Sequence, residues 1–409
     1  MTGQGAHERH RATPWGDARD VAAREGRAGP KRSRRAAPAH ALGRVLTEPL
    51  VALTDLPSFD TSAMDGWAVA GPGPWAVAGS GSVLAGHATA AELPDGSAVR
   101  IATGARVPPG ATAVVRAEHS RTEADGARLH AEREVLPGQD IRPRGQECRS
   151  GDELLPAGSP VTPAVLGLAA AAGYDELPVV EQPRVEVLVL GDELLTAGLP
   201  HDGLIRDALG PLLGPWLAAL GADVVATRRI GDDAEALYAA VTGSSADVVV
   251  TTGGTAAGPV DHVHPVLRKA GAELLVDGVK VRPGHPMLLA RLGPGTHLVG
   301  LPGNPLAAVS GLLTLAEPLL RGLAGRPAPE PYRLPVRDEV HGHPYDTRLV
   351  PVVRRAGQAV PLHYNGPAML RGIAAADGLA VVPPGGAAPG DVLEILGLPW
   401  PSTTEGCFT

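Results

Sequence analysis

Aromatic residues are scarce, at only 3% of the 409 positions. Burial therefore falls to Val, Leu and Ala, and the 44% apolar fraction supplies enough of them for two to four cores, since a single core rarely grows past roughly 250 residues. Cysteine is nearly absent. Cys148 and Cys407 have neither the number nor the spacing of a disulfide framework or a zinc site, so a reducing compartment, the cytoplasm, is expected. The apolar runs are too short or too broken by Gly and Pro to read as membrane spans, and no secretory apolar core is recognised near Met1. A surplus of positive charge is missing as well. The net charge of −8 and pI near 6.0 remove the overall footprint of a nucleic-acid or anionic-membrane binder.

Glycine and proline are plentiful, at 53 and 41 residues, and they are spread between periodic segments. That pattern predicts many tight turns in a globular chain rather than a collagen-like or disordered one. After a polar start, "PWGDARDVAAREG" predicts a helix anchored by Trp15. The basic "PKRSRR" (Pro30 to Arg35) has few charges and acids close upstream, so it reads as a solvated loop between two helices. From Leu46 to about Val135, short runs such as "WAVAG", "VRIATG" and "AVVRAE" alternate with turns and predict a small β-rich domain. A helix follows, with Thr162 as N-cap, Pro163 in its first turn and Gly173 just past its end.

The segment from Arg184 to Gly325 differs. "RVEVLVL" is an apolar strand of the kind buried on both faces. "LIRDALGPLLGPWLAALGAD" carries Leu209, Leu212, Leu213, Trp216, Leu217 and Leu220 at helical spacing, with Pro215 expected to kink it. Strands alternate with helices through "ADVVVTTGG" and "HLVGLPGNPLAAVSGLL", with Asn304 and Pro305 opening the last helix, which predicts a parallel sheet with right-handed crossovers. Residues 331–399 return to short β runs.

In such a sheet ligands bind where the strands end. Three motifs fall there: "LGDELL" with Asp192 and Glu193, "TTGGTAAGPVD" with Gly253, Gly254 and Asp261, and "LPGNP" with Pro302, Gly303 and Asn304. Glycine lets the backbone approach a phosphate, and the following helix offers N–H groups and a partial positive charge. An anionic ligand is expected, although neither a P-loop nor a GxGxxG fingerprint is present. Asp232 and Asp261 each precede a helix and read first as plain N-caps, then as Mg²⁺ ligands, while Glu193 reads as a first-turn helix acid or as a Mg²⁺ ligand. Lys280 and Arg282 either meet phosphate or lie on a solvated strand. His262 and His264 read as surface positions, and with His285 they match no metal spacing. Earlier in the chain, "LPSFDTSAMDGWAV" poses its own question: Asp65 is either the polar tip of a turn or a carboxylate held out for chemistry.

Taken in order, "LPSFDTSAMDGWAV", "IATGARVPPGATAVVRAEH", "LGDELL", "DVVVTTGGTAAGPVD", "VRPGHPM" and "LPGNPLAAVSGLL" resemble the molybdopterin molybdenumtransferases, also represented by the C-terminal half of gephyrin. The resemblance runs from about Pro14 to Leu398. It implies a multidomain α/β protein in four parts. These are an elongated linker domain (13–47 plus 140–182), a β-rich insertion (48–139), a three-layer α/β molybdopterin-binding domain (183–326) and a C-terminal β domain (327–400). It also implies insertion of molybdate into adenylylated molybdopterin with release of AMP, dependence on Mg²⁺, and a homodimer whose active site is shared between subunits. Molybdoenzymes or other cofactor-synthesis proteins would be its partners. Asp65, Thr103, Glu193, Asp232 and Asp261 would be catalytic, with Glu193 and Asp261 on the metal. Gly253, Gly254, Lys280, Arg282, Pro302, Gly303 and Asn304 would hold substrate.

The chain departs from the family pattern at several of these points. Leu190 stands where the family has Thr, and Leu209 where it has Asn. Ala256 and Pro259 replace a Ser and a Glu, Gln146–Glu147 replaces Glu-Asp, and Arg282 and His285 replace two lysines. Besides the enzyme, two readings stay open: a weakened paralogue that binds or carries molybdopterin or finished cofactor, and a scaffold.

Overall fold

The computed structural model of the chain describes residues 12–86, 91–255 and 262–400. Asp261, Ala256 and Pro259 lie outside the described residues. The chain divides into two units, one built from residues 35–42 and 46–179, the other from the rest.

In the second of these, the uninterrupted apolar run forms β1 (Arg184–Leu190), with Val185, Val187, Leu188 and Val189 essentially inaccessible to water. Helix α1 (Leu209–Ala219) turns Leu209, Leu213, Trp216 and Leu217 inward at helical spacing and runs on through Pro215. β2 (Asp223–Ile230), α2 (Ala234–Thr242), β3 (Val248–Thr252), α3 (Val263–Lys269) and β4 (Glu273–Asp277) follow, then β5 (Leu288–Gly293), β6 (Thr296–Leu301) and α4 (Pro305–Gly311).

The strand order is β2-β1-β3-β6-β5-β4. The first four strands are parallel, as expected, while β5 and β4 join antiparallel at one edge. Helices α2 and α3 pack Leu237, Val263, Val266 and Leu267 against Leu188 and Val249 on one face. α1 and α4 belong to a second core with Val187, Val250 and Val299 on the other, giving three layers. Each fully buried Leu or Val contributes roughly 1.5–3 kcal/mol relative to exposure.

Helix α4 continues through a π-helical turn, Leu312–Ala316, into the helix Glu317–Leu323. Pro318 has no N–H to offer, and the Glu317 N–H reaches back five residues to the Leu312 carbonyl. The whole run, Pro305–Leu323, is long and apolar enough to cross a bilayer, contrary to the sequence expectation. However, 94% of its most apolar 18-residue stretch is buried inside the protein, so it serves here as a core helix. Against it lies the expected helix Trp15–Ala28, whose Trp15 Nε1 donates to Thr314 Oγ1 at 3.1 Å. The two helices approach so closely that a Cβ on Gly26 would sit 2.2 Å from the Leu319 carbonyl oxygen.

The strands Thr347–Arg355, Gln358–Pro361, Gly378–Val382, Val392–Gly397 and Tyr332–Pro335 form an antiparallel C-terminal sheet. The strand Val279–Arg282 adds to it in parallel, pairing Arg282 with Arg348.

In the other unit, six strands pair as 113–116, 66–69, 97–101, 75–83, 128–131 and 120–122. The helix Pro163–Ala171 has the expected Thr162 cap, its Oγ1 accepting the Val165 N–H at 3.3 Å, and Gly173 follows at φ +102°. The basic stretch predicted as a loop contains a strand, Ser33–Ala36. Arg32 beside it pairs with Glu181 and Asp247.

Candidate active site

The parallel register brings four strand ends level: Leu190 faces Ile230, Val189 faces Thr252, and Thr252 faces Leu301. The loops that leave these ends enclose a cavity of about 500 Å³. Glu193, Asp232, Gly253, Gly254, Gly303 and Asn304 all line it, as the sequence motifs required. Gly253 and Gly254 sit at φ +81° and +63°, where a side chain is strained. A Cβ on Gly303 would lie 3.6 Å from the Gly253 Cα, so the two glycine bends are neighbours. Pro302 is buried beneath and does not line the cavity.

Two of the blander readings are overturned. Asp233, one residue on from Asp232, caps α2: its Oδ1 accepts the Glu235 and Ala236 N–H groups at 2.8 and 3.1 Å. The bonds from Ala236 and Glu235 hold the Asp233 carboxyl below its ordinary value, and Asp232 is left exposed at the cavity. Glu193 opens no helix. The short strand Leu194–Leu195 follows it, and its carboxylate folds back over Gly191, where an added Cβ would meet Oε2 at 2.4 Å.

The expectation of an open helix N-terminus fails at α4, the helix that follows Gly303. Pro305 has no N–H, and the N–H groups of Leu306 and Ala307 donate to the Pro367 carbonyl at 2.9 and 3.3 Å. At α1, Asp207 Oδ1 accepts from Leu209 and Gly210 at 3.0 and 2.9 Å. The α1, α2 and α4 ends therefore already have acceptors on amides of their first turns. Four carboxylates line the cavity (Glu193, Asp207, Asp232 and Asp233) against Arg206 and His262. An anionic ligand entering such a cavity needs added positive charge.

Among the described residues, no three His, Cys, Asp or Glu side chains are grouped to hold a metal. Mg²⁺ requires no such cage, because one or two carboxylates and substrate phosphates satisfy it. The donor set of Glu193 and Asp232 fits that chemistry.

Lys280 and Arg282 do not reach the cavity. Their strand joins the C-terminal sheet, and Arg282 Nε donates to the buried Asp346 at 2.8 Å. His285 Nδ1 lies 2.8 Å from the Val279 carbonyl. His264 pairs with Asp277, whereas His262, read as a surface position, lines the cavity. Sequence reasoning missed Arg206 and Asp207, although an Asp two residues before the apolar spacing of α1 was a usable capping signal. Leu190 and Leu209, two of the departures from the family pattern, are both in the cavity wall.

In the other unit, Asp65 and Thr103 meet because the strands Gly66–Val69 and Ser97–Ile101 pair antiparallel with Gly66 opposite Ile101. The Thr103 N–H and hydroxyl both donate to Asp65 Oδ1, at 2.7 and 2.9 Å. The amide and then the hydroxyl hold this exposed carboxyl below its ordinary 3.8. Gly66 is required by the neighbouring strand: a Cβ there would sit 2.0 Å from the Val115 carbonyl oxygen. Thus "SAMDG" is a strand entry that projects a carboxylate fixed by a threonine.

The chain matches the MoeA N-terminal region (domain I and II) over residues 14–173, a probable molybdopterin binding domain over 186–322, and the MoeA C-terminal region (domain IV) over 333–398. It is 37% identical to the molybdopterin molybdenumtransferase 2 of Mycobacterium tuberculosis, over 87% of this chain and 90% of that one. It is 31% identical to the molybdopterin molybdenumtransferase of Staphylococcus aureus, over 69% and 70%. The crystal structure of a molybdopterin biosynthesis MoeA protein from Pyrococcus horikoshii superposes with a TM-score of 0.77 at 25% identity, covering 95% of this chain and 99% of that one. The fold and site define a multidomain α/β protein with a carboxylate-lined cavity at the end of its parallel strands. The chain belongs to the molybdopterin molybdenumtransferase family, of molybdenum cofactor biosynthesis.

Proposed function

We propose that this protein is a cytoplasmic molybdopterin molybdenumtransferase that converts adenylylated molybdopterin and molybdate to molybdenum cofactor and AMP. One observation carries the reading: Glu193 and Asp232 line the same cavity as the two glycine bends. The bends let backbone approach the pterin phosphate, while the carboxylates stand where a divalent ion is needed. Glu193 with Asp261 would hold Mg²⁺, as the resemblance implies, with Asp232 a further acid of the cavity, and the bound ion would supply charge neutralisation at the phosphoanhydride. Arg206 would bind the departing phosphate, and the apolar Leu190 and Leu209 would keep water away from one side of the cavity. On the same reading the chain keeps the four-part division given above and is a homodimer, with the Asp65–Thr103 pair of one subunit serving the cavity of the other.

The test is AMP release from adenylylated molybdopterin with molybdate and Mg²⁺, followed by cofactor formation. Turnover that disappears in Glu193→Gln supports the enzyme, and tight binding without AMP release refutes it. The second reading, a carrier with little turnover, draws on Leu190 and Leu209 in the cavity wall. Mixed dimers of Asp65→Asn and Glu193→Gln chains should recover activity if the site is shared, and a monomer by light scattering would reject that arrangement.

A further inference from the structure

A second cavity, of about 470 Å³, opens in the C-terminal part of the same unit. Its volume falls in the range that holds a small organic ligand. The floor is apolar, with Val360 and Leu362 each 8% exposed. The rim is basic: Arg337, Arg355, Arg371 and His363 line it, and no acidic residue does. In a chain of net charge −8 this is a local reversal of sign. Arg337 is bonded to Asp338 at 2.8 and 2.9 Å, while Arg355 has no carboxylate partner among the described residues.

The cavity also presents planar groups. Tyr364 is 40% exposed, the Arg371 guanidinium lies 4.2 Å from its ring centroid, and Arg371 Nη1 donates to its hydroxyl at 2.6 Å. The arrangement is held from below, because Gly372 brings the helix Arg371–Ala375 against the Tyr364 carbonyl, where a Cβ would clash at 2.0 Å. Guanidinium forks bind phosphate oxygens, and an exposed tyrosine edge beside an apolar floor accepts a flat ring.

We infer that this groove binds a phosphorylated ligand with a planar ring, of the nucleoside monophosphate class, held by Arg355 and Arg371 at the phosphate and by Tyr364 and the apolar floor at the ring. The inference stands whether or not the chain inserts molybdenum. It is distinguishable from the strand-end cavity by its metal requirement, since a groove lined by arginine needs no divalent ion.

The experiment is calorimetric titration of the full-length protein with AMP in EDTA, together with photolabelling by 8-azido-AMP and mapping of the labelled peptide. AMP is expected to bind without metal, more tightly than adenosine or inorganic phosphate alone, with the label on the peptide carrying Tyr364. Arg355→Glu, at an exposed position, is expected to weaken binding about tenfold or more, and added salt to weaken it further. Arg371→Lys, which keeps the charge but loses the planar stack, should fall in between. Failure to bind in EDTA, a label confined to other peptides, inorganic phosphate binding as tightly as AMP, or indifference to Arg355→Glu would each overturn the assignment.

Discussion

Two cavities of the α/β and C-terminal unit are nearly equal in volume, about 500 and 470 Å³, and opposite in lining. The strand-end cavity gathers four carboxylates against one arginine and has acceptors on first-turn amides of three of its surrounding helices. The C-terminal groove offers arginines and no acid. Both suit an anion, by different means. On the proposed reading the first takes in a cation with its anion, which would make binding conditional on metal, while the second supplies its own counter-charge.

The largest expected effect tests the first half of that contrast. Glu193→Gln, at an exposed side chain, should leave the melting temperature unchanged and lower AMP release by about 100-fold or more, as loss of an electrostatic contributor does. Unchanged turnover would remove the acidic rim from the chemistry. Asp65→Asn should lower turnover by about tenfold with little change in stability.

The Asp65 carboxyl sits below 3.8 in the folded protein, so its bonds to Thr103 are complete above that value and disappear as pH falls through the lower folded one. Hydrogen exchange at the Thr103 amide should therefore stay slow at pH 4 and quicken only at more acid pH. Quickening already at pH 5 would contradict the pairing.

Two substitutions sharpen the comparison at the apolar wall. Leu209, 5% exposed and part of the core, should lose about 1–3 kcal/mol as Asn in denaturant unfolding. Leu190→Thr, half-buried, should unfold like the parent and raise turnover a few-fold if the departures at this wall have weakened the enzyme. The smallest effect lies below the rim. Thr251 is fully buried and its hydroxyl has no hydrogen-bond partner among the described residues, so Thr251→Val should be neutral or slightly stabilising in melting temperature.

Much of the strand-end cavity was legible because its determinants are local. An apolar run followed by glycine marks a strand end, and β1, β3 and β6 each carry that signature, with acids following directly after β1. What escaped was non-local. Nothing near Leu306 announces that the Pro367 carbonyl occupies its amide, and nothing in "GVKVRPGHP" says that this strand leaves the α/β sheet to pair with Thr347–Arg355. One-residue distinctions were also lost: Asp232 and Asp233 are adjacent carboxylates before the same helix, and only geometry shows which one caps it. The basic groove draws its arginines from a loop, a strand end and a short helix, a convergence with no periodicity to read.

The contact between Gly26 and the helix that follows the π turn bears on how the chain is made. The seat for the first helix is synthesised only after the whole β-rich unit has emerged, so its apolar stripe must wait uncovered while that unit folds. Enlarging Gly26 would then harm yield from ribosomal synthesis and refolding more visibly than it would any property of the cavities.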